Sequence, residues 1–410
     1  MSAMFLRRHP HLLVFLSLLA LFTLGVTVLS EAMGTGALTT SFTKILGQTL
    51  CLCLIAIAMD LVWGFAGILS LGHFAFFGLG GYMIGMWLMY ERTRLIVEPA
   101  LLAQALPPTV GEVQDAIAAQ IFGVVGASEL PAIWTFAGSL PAQLALVVLV
   151  PGLLALVFGW LAFRSRVTGV YLSILTQAMT LALSLYLFQN ESGLRGNNGL
   201  SGLQNIPHAG GVSQAWITLW FVWGSALALA IGYILATCIV SGKFGSVIRG
   251  IRDDEARVRF LGYPVETYKL FVFTLSAVMA GIAGALYYPQ AGIINPAELA
   301  PIASIYLAVW VAIGGRGRLW GAVLGAASVS LLSNWFSGGG APDVTILGYT
   351  IAWVSWWQVM LGIGFVLVTI FAPKGLSGLV DLVLARRNPD RHGAAVGRDE
   401  SALRDAEEAR

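Results

Sequence analysis

A few polar side chains interrupt long apolar stretches of this sequence, and they are its first candidates for chemistry. Imidazole and amide groups within an apolar protein can hydrogen-bond a small uncharged solute. Two of these side chains lie inside apolar runs, two form a Gly/Asn turn, and two belong to the segment Tyr288-Pro-Gln-Ala-Gly-Ile-Ile-Asn-Pro296. The candidate substrate path consists of His73, Gln177, Asn197, Asn198, Gln290 and Asn295.

Several of these polar groups also have a purely structural interpretation. His73 can be a pore-lining group or an interior histidine whose hydrogen bonds are satisfied by the protein. Asn197 and Asn198 can form a lid over an outer opening or a plain loop. Asp60 lies near the end of an apolar run, where it can act in gating or bind backbone amides or a nearby arginine.

The sequence contains no motif typical of an enzyme active site or a metal site. The cysteines Cys51, Cys53 and Cys238 lie in apolar runs without zinc-type spacing, and no nucleophile–base pair or paired carboxylates are visible. Gly242-Lys243 is followed by Phe244, so it does not complete a phosphate-binding P-loop. We therefore expect no catalytic residue, metal site or cofactor in this chain, and no ATP hydrolysis by it.

The loop at 241–269 alternates charged residues with the apolar residues Ile248, Ile251 and Phe260-Leu261. This pattern predicts a short amphipathic helix that lies in a groove of a soluble partner. A solvated connector with basic residues at the membrane interface is the alternative.

The amino-acid composition indicates that the polar candidates lie in a membrane-spanning chain. Apolar residues make up 57% of the 410 residues and charged residues 11%, with a mean hydropathy of +0.80. Soluble proteins have about 45–50% apolar and about 25% charged residues. The chain is therefore expected to cross a membrane several times. Disordered, collagen-like and nucleic-acid-binding classes are excluded, and a net charge of +2 is too small to attract a polyanion.

Runs near the length of about 20 residues that crosses a bilayer predict an all-α, polytopic bundle of about ten transmembrane helices. Arg7 and Arg8 precede the first run as they would in a secretory signal, but its 19 apolar residues exceed the apolar h-region of such a signal, which is usually about 7–15 residues long. The runs lie at 12–30, 45–63, 67–90, 141–163, 167–189, 214–240, 270–288, 301–314, 319–336 and 353–372.

The distribution of positive charge predicts the orientation. Ten spans and a cytoplasmic N-terminus place 19 of the 23 Lys and Arg residues inside, as the positive-inside rule requires. Both termini are then cytoplasmic. Residues 1–380 are expected to form the transmembrane domain, with an extracytoplasmic cap or surface helix at about 91–140. Residues 381–410 are expected to form a charged cytoplasmic tail.

The chain resembles the permease subunits of ABC importers for branched-chain amino acids, and more closely the urea ABC transporter permeases. The urea branch is suggested by Gly196-Asn-Asn-Gly199, Ile294-Asn-Pro296 and Gly314-Gly-Arg-Gly317. The resemblance extends from about 45 to 380, and its matching blocks are residues 69–82, 163–173, 196–202, 247–256, 311–321 and 373–379.

The resemblance implies a subunit of a bacterial inner-membrane importer. Its expected partners are a second, related permease, two cytoplasmic ATP-binding subunits, a periplasmic solute-binding protein and the lipid bilayer. Arg257 replaces the second alanine of the family's Glu-Ala-Ala signature, and Gly262 comes one residue late. The residues that would form the coupling element for the ATPase are Arg249, Arg252, Asp253, Asp254, Glu255 and Gly262.

The expected function is ATP-driven import of urea or a similar small polar nitrogen compound. A permease for branched-chain amino acids or short-chain amides is the first alternative. A passive urea channel is a further alternative, although a channel has no use for a long amphipathic loop. A membrane enzyme has the least support.

Overall fold

The chain folds as a bundle of long apolar helices. The computed structural model describes residues 10–33, 37–102, 110–125, 132–204, 213–337, 344–346, 349–351, 353–371 and 375–378. The helices are α1 Pro10–Met33, α2 Ala37–Asp60, a π-helix Leu61–Phe65, α3 His73–Leu102, α4 Val110–Val125, α5 Leu140–Arg164, α6 Val170–Phe188, α7 Gln214–Ser241, α8 Lys243–Asp253, α9 Glu255–Phe260, α10 Val265–Ala291, α11 Pro301–Gly314, α12 Leu319–Ser337 and α13 Trp353–Phe371. Short 3-10 turns lie at Ala132–Phe136, Asn190–Ser192, Gly196–Asn198 and Pro296–Leu299.

The prediction of an all-α, polytopic membrane bundle is confirmed. Each of the ten apolar runs is helical over most of its length, and seven helices of the described residues are long and apolar enough to cross a membrane. The other three runs are occupied by α3, α11 and α13. A helix satisfies its own backbone hydrogen bonds, which is why apolar chain in a bilayer adopts this structure.

Two small strand pairs are the exceptions to the helical fold. Strand β1 (Leu200–Ser201) pairs antiparallel with β2 (Ile293–Ile294), with Leu200 opposite Ile294. Strand β3 (Val344–Ile346) pairs antiparallel with β4 (Tyr349–Ile351). The first pair joins two loops that are about 90 residues apart in the sequence, and it brings Asn197 and Asn198 into the same region as Asn295.

Helix α10 lies at the centre of the bundle, where it packs against α3, α5 and α2. Glycines allow the closest of these contacts. A Cβ atom added at Gly80 would overlap the backbone of Gly281, and one added at Gly284 would overlap the backbone of Phe77. Small residues at such crossings let transmembrane helices approach backbone to backbone.

The periphery of the bundle is apolar as well. Leu149, Leu185 and Leu227, on α5, α6 and α7, are each more than half exposed, and so are other large apolar side chains on these helices. A lipid environment accommodates such a surface without the cost that water would impose. The exposed faces and the buried centre therefore agree with a membrane-embedded bundle.

The structure corrects the start of the third predicted run. The run 67–90 was expected to be helical from its first residue, but α3 begins at His73 and residues 66–72 are irregular. Gly67 adopts a left-handed conformation with φ +73°, which ends helical geometry at this point. At its other end α3 continues to Leu102, beyond the predicted end at 90.

The segment at 91–140 contains more regular structure than a simple cap. It comprises the end of α3, the surface helix α4 and a 3-10 turn, while residues 103–109 and 126–131 lie outside the described part of the chain. Helix α4 buries Ile117 and Ile121 and exposes Asp115, as the amphipathic pattern predicts. The Trp134 indole donates a hydrogen bond to Gly193 O (2.9 Å), which ties this segment to the loop after α6.

The loops gather at two opposite ends of the bundle. The inner end, as we name it, contains α8, α9, the π-helix and residues 314–318, and the outer end contains β1, β2 and the turn at Ala132–Phe136. Contacts join loops of the same end: Asp60 to Gly317 at the inner end and Leu200 to Ile294 at the outer end. This grouping agrees with the predicted serpentine. That the inner end and both termini face the cytoplasm stays a prediction from charge, and Arg7, Arg8 and the tail 381–410 lie outside the described residues.

Candidate functional site

Residues 66–72 interrupt the helical path inside the bundle, and we call them the break. They follow the π-helix Leu61–Phe65, a form that occurs mostly as short insertions and frequently at functional sites. Ile68, Ser70 and Gly72 of the break are buried. Irregular backbone at membrane depth is tolerated only where protein or a polar cavity satisfies it, and in transporters such breaks line substrate sites.

Hydroxyl groups from neighbouring helices satisfy the backbone around the break. Those of Ser173 and Thr176 come from α6, and that of Ser304 comes from α11. The hydrogen bonds are Ser173 Oγ to Leu69 O (2.7 Å), Leu71 N to Thr176 Oγ1 (3.0 Å) and Phe74 N to Ser304 Oγ (3.1 Å). The break is therefore surrounded by uncharged polar groups from at least two helices.

His73 is fully buried at the start of α3 and connects the break to the central helix. Its Nδ1 lies 3.3 Å from Ser70 O, and its Nε2 lies 3.2 Å from Ser276 Oγ on α10. A carbonyl oxygen only accepts, and the Ser276 hydroxyl donates its proton to Phe273 O (2.9 Å), so the tautomer of His73 decides which of these two contacts is a hydrogen bond donated by the imidazole. The Ser70 hydroxyl is buried and has no hydrogen-bond partner among the described residues.

The six residues of the predicted path lie at two levels. Gln177 is half-buried and follows Thr176, so it lies at the level of His73 and the break. Gln290 and Asn295 lie near the outer end. Along α10, Ser276 and Gln290 are separated by a rise of about 21 Å. The structure thus does not bring the predicted residues together in one site.

The residues nearer the outer end have different surroundings. Gln290 is buried between α10 and α7, where its Nε2 donates to Ser225 Oγ (3.1 Å) and Leu286 O (2.7 Å). Asn197 and Asn198 are exposed in a 3-10 turn. Asn295 is half-buried just after β2, and its Oδ1 has no hydrogen-bond partner among the described residues.

Asp60 connects two loops at the inner end. Its carboxylate is fully buried and accepts a hydrogen bond from the Gly317 amide (2.7 Å). Gly64 lies against this contact, because a Cβ added there would overlap the Asp60 carboxylate and crowd Gly317 N at 2.5 Å. The Arg316 guanidinium stacks on the Trp63 ring at 5.2 Å. Asp60 thus binds a backbone amide through Oδ1, while its Oδ2 has no hydrogen-bond partner among the described residues.

Arg252 joins the amphipathic loop to the π-helix. Its Nη1 donates to Gly64 O (2.9 Å) while its Nε bonds Asp253 Oδ1 (2.9 Å). The Arg252 side chain also covers Gly67, where an added Cβ would approach Arg252 Cγ to 2.8 Å. A movement of α8 would therefore act directly on the turn that leads into the break.

The amphipathic loop contains two helices, where one was expected. Asp254 ends α8 in an extended conformation and caps α9 by accepting from Arg257 N (3.1 Å), so the chain turns between them. Arg249 donates to Val240 O (3.0 Å). Gly262, with φ +86°, lies just after α9 in the turn that leads towards α10.

Glu255 anchors α9 to the central helix. Its two oxygens bond Arg259 Nη2 (2.9 Å) and Lys269 Nζ (2.5 Å), and Lys269 belongs to α10. Beyond these ion pairs, Phe260 is 92% exposed and Leu261 is 71% exposed. Two large apolar side chains therefore project from the end of α9, and Phe260 lines a cleft of about 460 Å³ together with Arg166 and Ala256.

Sequence reasoning did not select Glu298, which lies in the 3-10 turn Pro296–Leu299 near the outer end. Burial raises the pKa of the Glu298 carboxyl group to about 7, and the nearby Tyr288 hydroxyl offsets part of this effect. The available signal was an acidic residue three positions after Asn295 in an otherwise apolar segment. Within the described ranges, no three His, Cys, Asp or Glu side chains are grouped as metal ligands.

Comparison with known proteins gives consistent matches. The model of a family described as branched-chain amino acid transport system / permease component matches residues 41–369. The chain is 26% identical over 184 residues to the high-affinity branched-chain amino acid transport system permease protein LivM of Escherichia coli (strain K12), which covers 39% of the chain and 43% of LivM. It is 34% identical over 100 residues to the autoinducer 2 import system permease protein LsrC of Yersinia pestis (strain Pestoides F), which covers 23% of the chain and 28% of LsrC.

These relatives are matched over less than half of their length. None of the solved structures matches the chain.

Proposed function

Because the chain belongs to the family of branched-chain amino acid transport system permease components, we propose that it is the transmembrane subunit of an ATP-driven importer for urea or a similar small, uncharged nitrogen compound. It is a multi-pass inner-membrane protein of the ABC permease type. We propose in addition its substrate, its partner subunits and the inward direction of transport.

The hydrogen bond from Arg252 to Gly64 O carries the proposal. Helix α8 lies at the inner end, and Gly64 belongs to the π-helix that precedes the break. A partner that moves α8 and α9 would displace the π-helix through this contact and through Asp60 and Gly317. Transport by alternating access needs an element of this kind, which transfers a cytoplasmic movement to a site inside the bilayer.

The expected partners fit the surface of the amphipathic loop. The exposed side chains of Phe260 and Leu261 suit an apolar groove on a soluble ATP-binding subunit, and the ion pairs of Glu255 hold them in place. Two such subunits would bind and hydrolyse ATP, so this chain needs no cofactor of its own. A second permease and a periplasmic solute-binding protein complete the proposed complex.

The groups around the break favour a neutral substrate. His73, Ser70 and Ser276 offer hydrogen bonds without a fixed charge, and Gln177 lies at the same level. A zwitterionic amino acid would need both a positive and a negative partner in this apolar interior, since unpaired buried charges are costly. Urea has no ionised group, which favours it over the branched-chain amino acid named for LivM, whose zwitterion carries an ammonium and a carboxylate.

The test is uptake by the complete importer in proteoliposomes. Replacing Arg252 with Gln removes the guanidinium contacts to Gly64 and Asp253, and we expect ATP-driven uptake of radiolabelled urea to fall at least about tenfold, as loss of a charged hydrogen bond of about 1.5–3 kcal/mol implies. The matched control is Arg94→Gln, because Arg94 lies on α3 away from the amphipathic loop and pairs with Glu91 of the same helix.

Equal uptake by Arg252→Gln and wild type would refute the coupling role. Uptake of leucine but not urea would establish the amino-acid alternative. Rapid urea flux through liposomes that contain this chain alone, without ATP, would establish a passive channel.

A further inference from the structure

Several buried polar atoms near the outer end lack a hydrogen bond of normal geometry to the described residues. They include the hydroxyl oxygens of Tyr82 and Tyr288 and the Oδ1 of Asn295, as well as the Oε1 atoms of Gln204 and Gln290. Both tyrosines are fully buried. Such atoms are rare in folded proteins, because each loses its hydrogen bond to water and gains nothing in return. Their occurrence in one region requires a reason.

The fold directs the first three of these atoms towards Glu298. The Tyr288 hydroxyl approaches the Glu298 carboxyl group, and the charge of that group acts on the Tyr82 hydroxyl as well. Asn295 precedes the 3-10 turn that contains Glu298, and this turn packs on α3, because a Cβ atom added at Gly78 would overlap the Leu299 side chain. The Tyr288 ring packs on Gly81 of α3, where a Cβ atom would overlap it.

The four side chains have complementary hydrogen-bonding capacity. Two phenolic hydroxyls can donate to one carbonyl oxygen, while an oxygen of the Glu298 carboxyl group and Asn295 Oδ1 can accept from N–H groups. Glu298 forms no salt bridge with another described residue, so its acceptor capacity is not used by an arginine or lysine. A planar carbonyl compound with N–H groups would satisfy both sets at once.

We propose that Tyr82, Tyr288, Asn295 and Glu298 form an outer subsite that binds a small neutral amide or urea through its carbonyl oxygen and its N–H groups. The inference rests on the proposed transport function and names the residues that would first hold the solute. Tyr82 of the subsite follows His73 by nine residues along α3, a rise of about 14 Å towards the outer end. The break would then be a second, deeper position.

A binding subsite and a structural contact predict opposite effects on stability. Tyr82→Phe removes a hydroxyl that has no protein partner, so the solute-free protein should become more stable. The same variant should transport urea about three- to tenfold more slowly, because it loses one hydrogen bond to the solute. A tyrosine that only supports the fold would instead lose stability on this change.

The experiment measures uptake of radiolabelled urea by the complete importer with saturating solute-binding protein, together with thermal unfolding of the purified complex. The variants are Tyr82→Phe and Glu298→Gln, and the control is Tyr233→Phe, which changes a buried tyrosine that stacks on Phe15 far from Glu298. Acetamide should compete with urea in the wild type, whereas tetramethylurea, which has no N–H group, should not compete.

Several results would overturn the subsite. Unchanged uptake in both variants would do so, as would a lower unfolding temperature in Tyr82→Phe. Competition by tetramethylurea as strong as that by acetamide would show that N–H groups are not recognised, and stronger competition by guanidinium would show a cation site. If the wild-type importer takes up no urea, the proposed function is refuted together with the subsite. If the wild type takes up urea and both variants take it up at the same rate, only the subsite is refuted.

Discussion

Glu298 shows how one residue's surroundings can set its chemistry. Its carboxyl group is largely withdrawn from water, and the described titratable groups that face it are the tyrosines at 82, 287 and 288, from α3 and α10. No positive charge among the described residues pairs with it. A carboxyl group in this position favours its protonated form, because burial penalises the charge.

This burial makes the stability of the protein depend on pH. The pKa of Glu298 rises from its ordinary value of 4.5 to about 7. Between these values the folded chain holds a proton that the unfolded chain has lost, so stability is greatest below about pH 4.5 and falls as the pH rises through 7. We expect the detergent-solubilised protein to unfold at a lower temperature at pH 8 than at pH 5.

The variant Glu298→Gln should reduce this difference, because its side chain does not titrate. Glu191→Gln, at an exposed carboxylate of the outer end, is the matched control and should leave the difference unchanged. If Glu298→Gln and wild type show the same change in unfolding temperature between the two pH values, the account of Glu298 is wrong.

The sequence identifies polar exceptions such as Asp60 and His73, because a polar residue in an apolar run is visible without a structure. It does not identify their partners. Gly317 is 257 residues from Asp60, and Ser276 is 203 residues from His73. Pairings over such distances follow from helix packing, which a single sequence does not display, so Gly64 and Glu298 could not be selected either.

At the scale of elements, the break illustrates the limit of hydropathy. Residues 66–72 are as apolar as the helix that follows, so the sequence pattern extends the helix through them. The hydroxyls that bond the break are supplied by α6 and α11, far away in the chain. Gly67 and Gly72 are the local sequence features that favour an interruption of the helix here. By contrast, the ten helices themselves follow from run length alone, because a bilayer leaves apolar chain few other structures.

Helix packing gives a second prediction, at the contact between α3 and α10. Replacing Gly284 with Ala places a Cβ atom onto the Phe77 backbone, which cannot move aside as a flexible side chain can. We expect a loss of about 1–3 kcal/mol in the free energy of unfolding, as overpacked cores show. Denaturation in mixed micelles measures it.

Gly362→Ala provides the control for this substitution, because an added Cβ at Gly362 meets nothing within 4 Å. This variant should be as stable as wild type. Equal stability of the Gly284 variant would mean that α3 and α10 are farther apart than the structure places them.

At the scale of the whole molecule, the grouping of loops at two ends makes sidedness testable. Single cysteines are introduced at Ala256 of α9 and at Asn197 of the outer turn, both exposed, in a chain whose exposed Cys238 is changed to Ser. A membrane-impermeant maleimide added to intact cells should label the cysteine at 197 and not the one at 256. Labelling of 256 alone would invert the orientation that the charge distribution predicts.

The hydroxyls around the break have a wider consequence for how the molecule can move. Each hydroxyl takes the place of a water molecule by forming a hydrogen bond to a backbone group, because a hydroxyl can both donate and accept. The two helical pieces on either side are therefore not joined by one continuous ladder of hydrogen bonds. A displacement of the π-helix at the inner end therefore does not have to break backbone hydrogen bonds within α3.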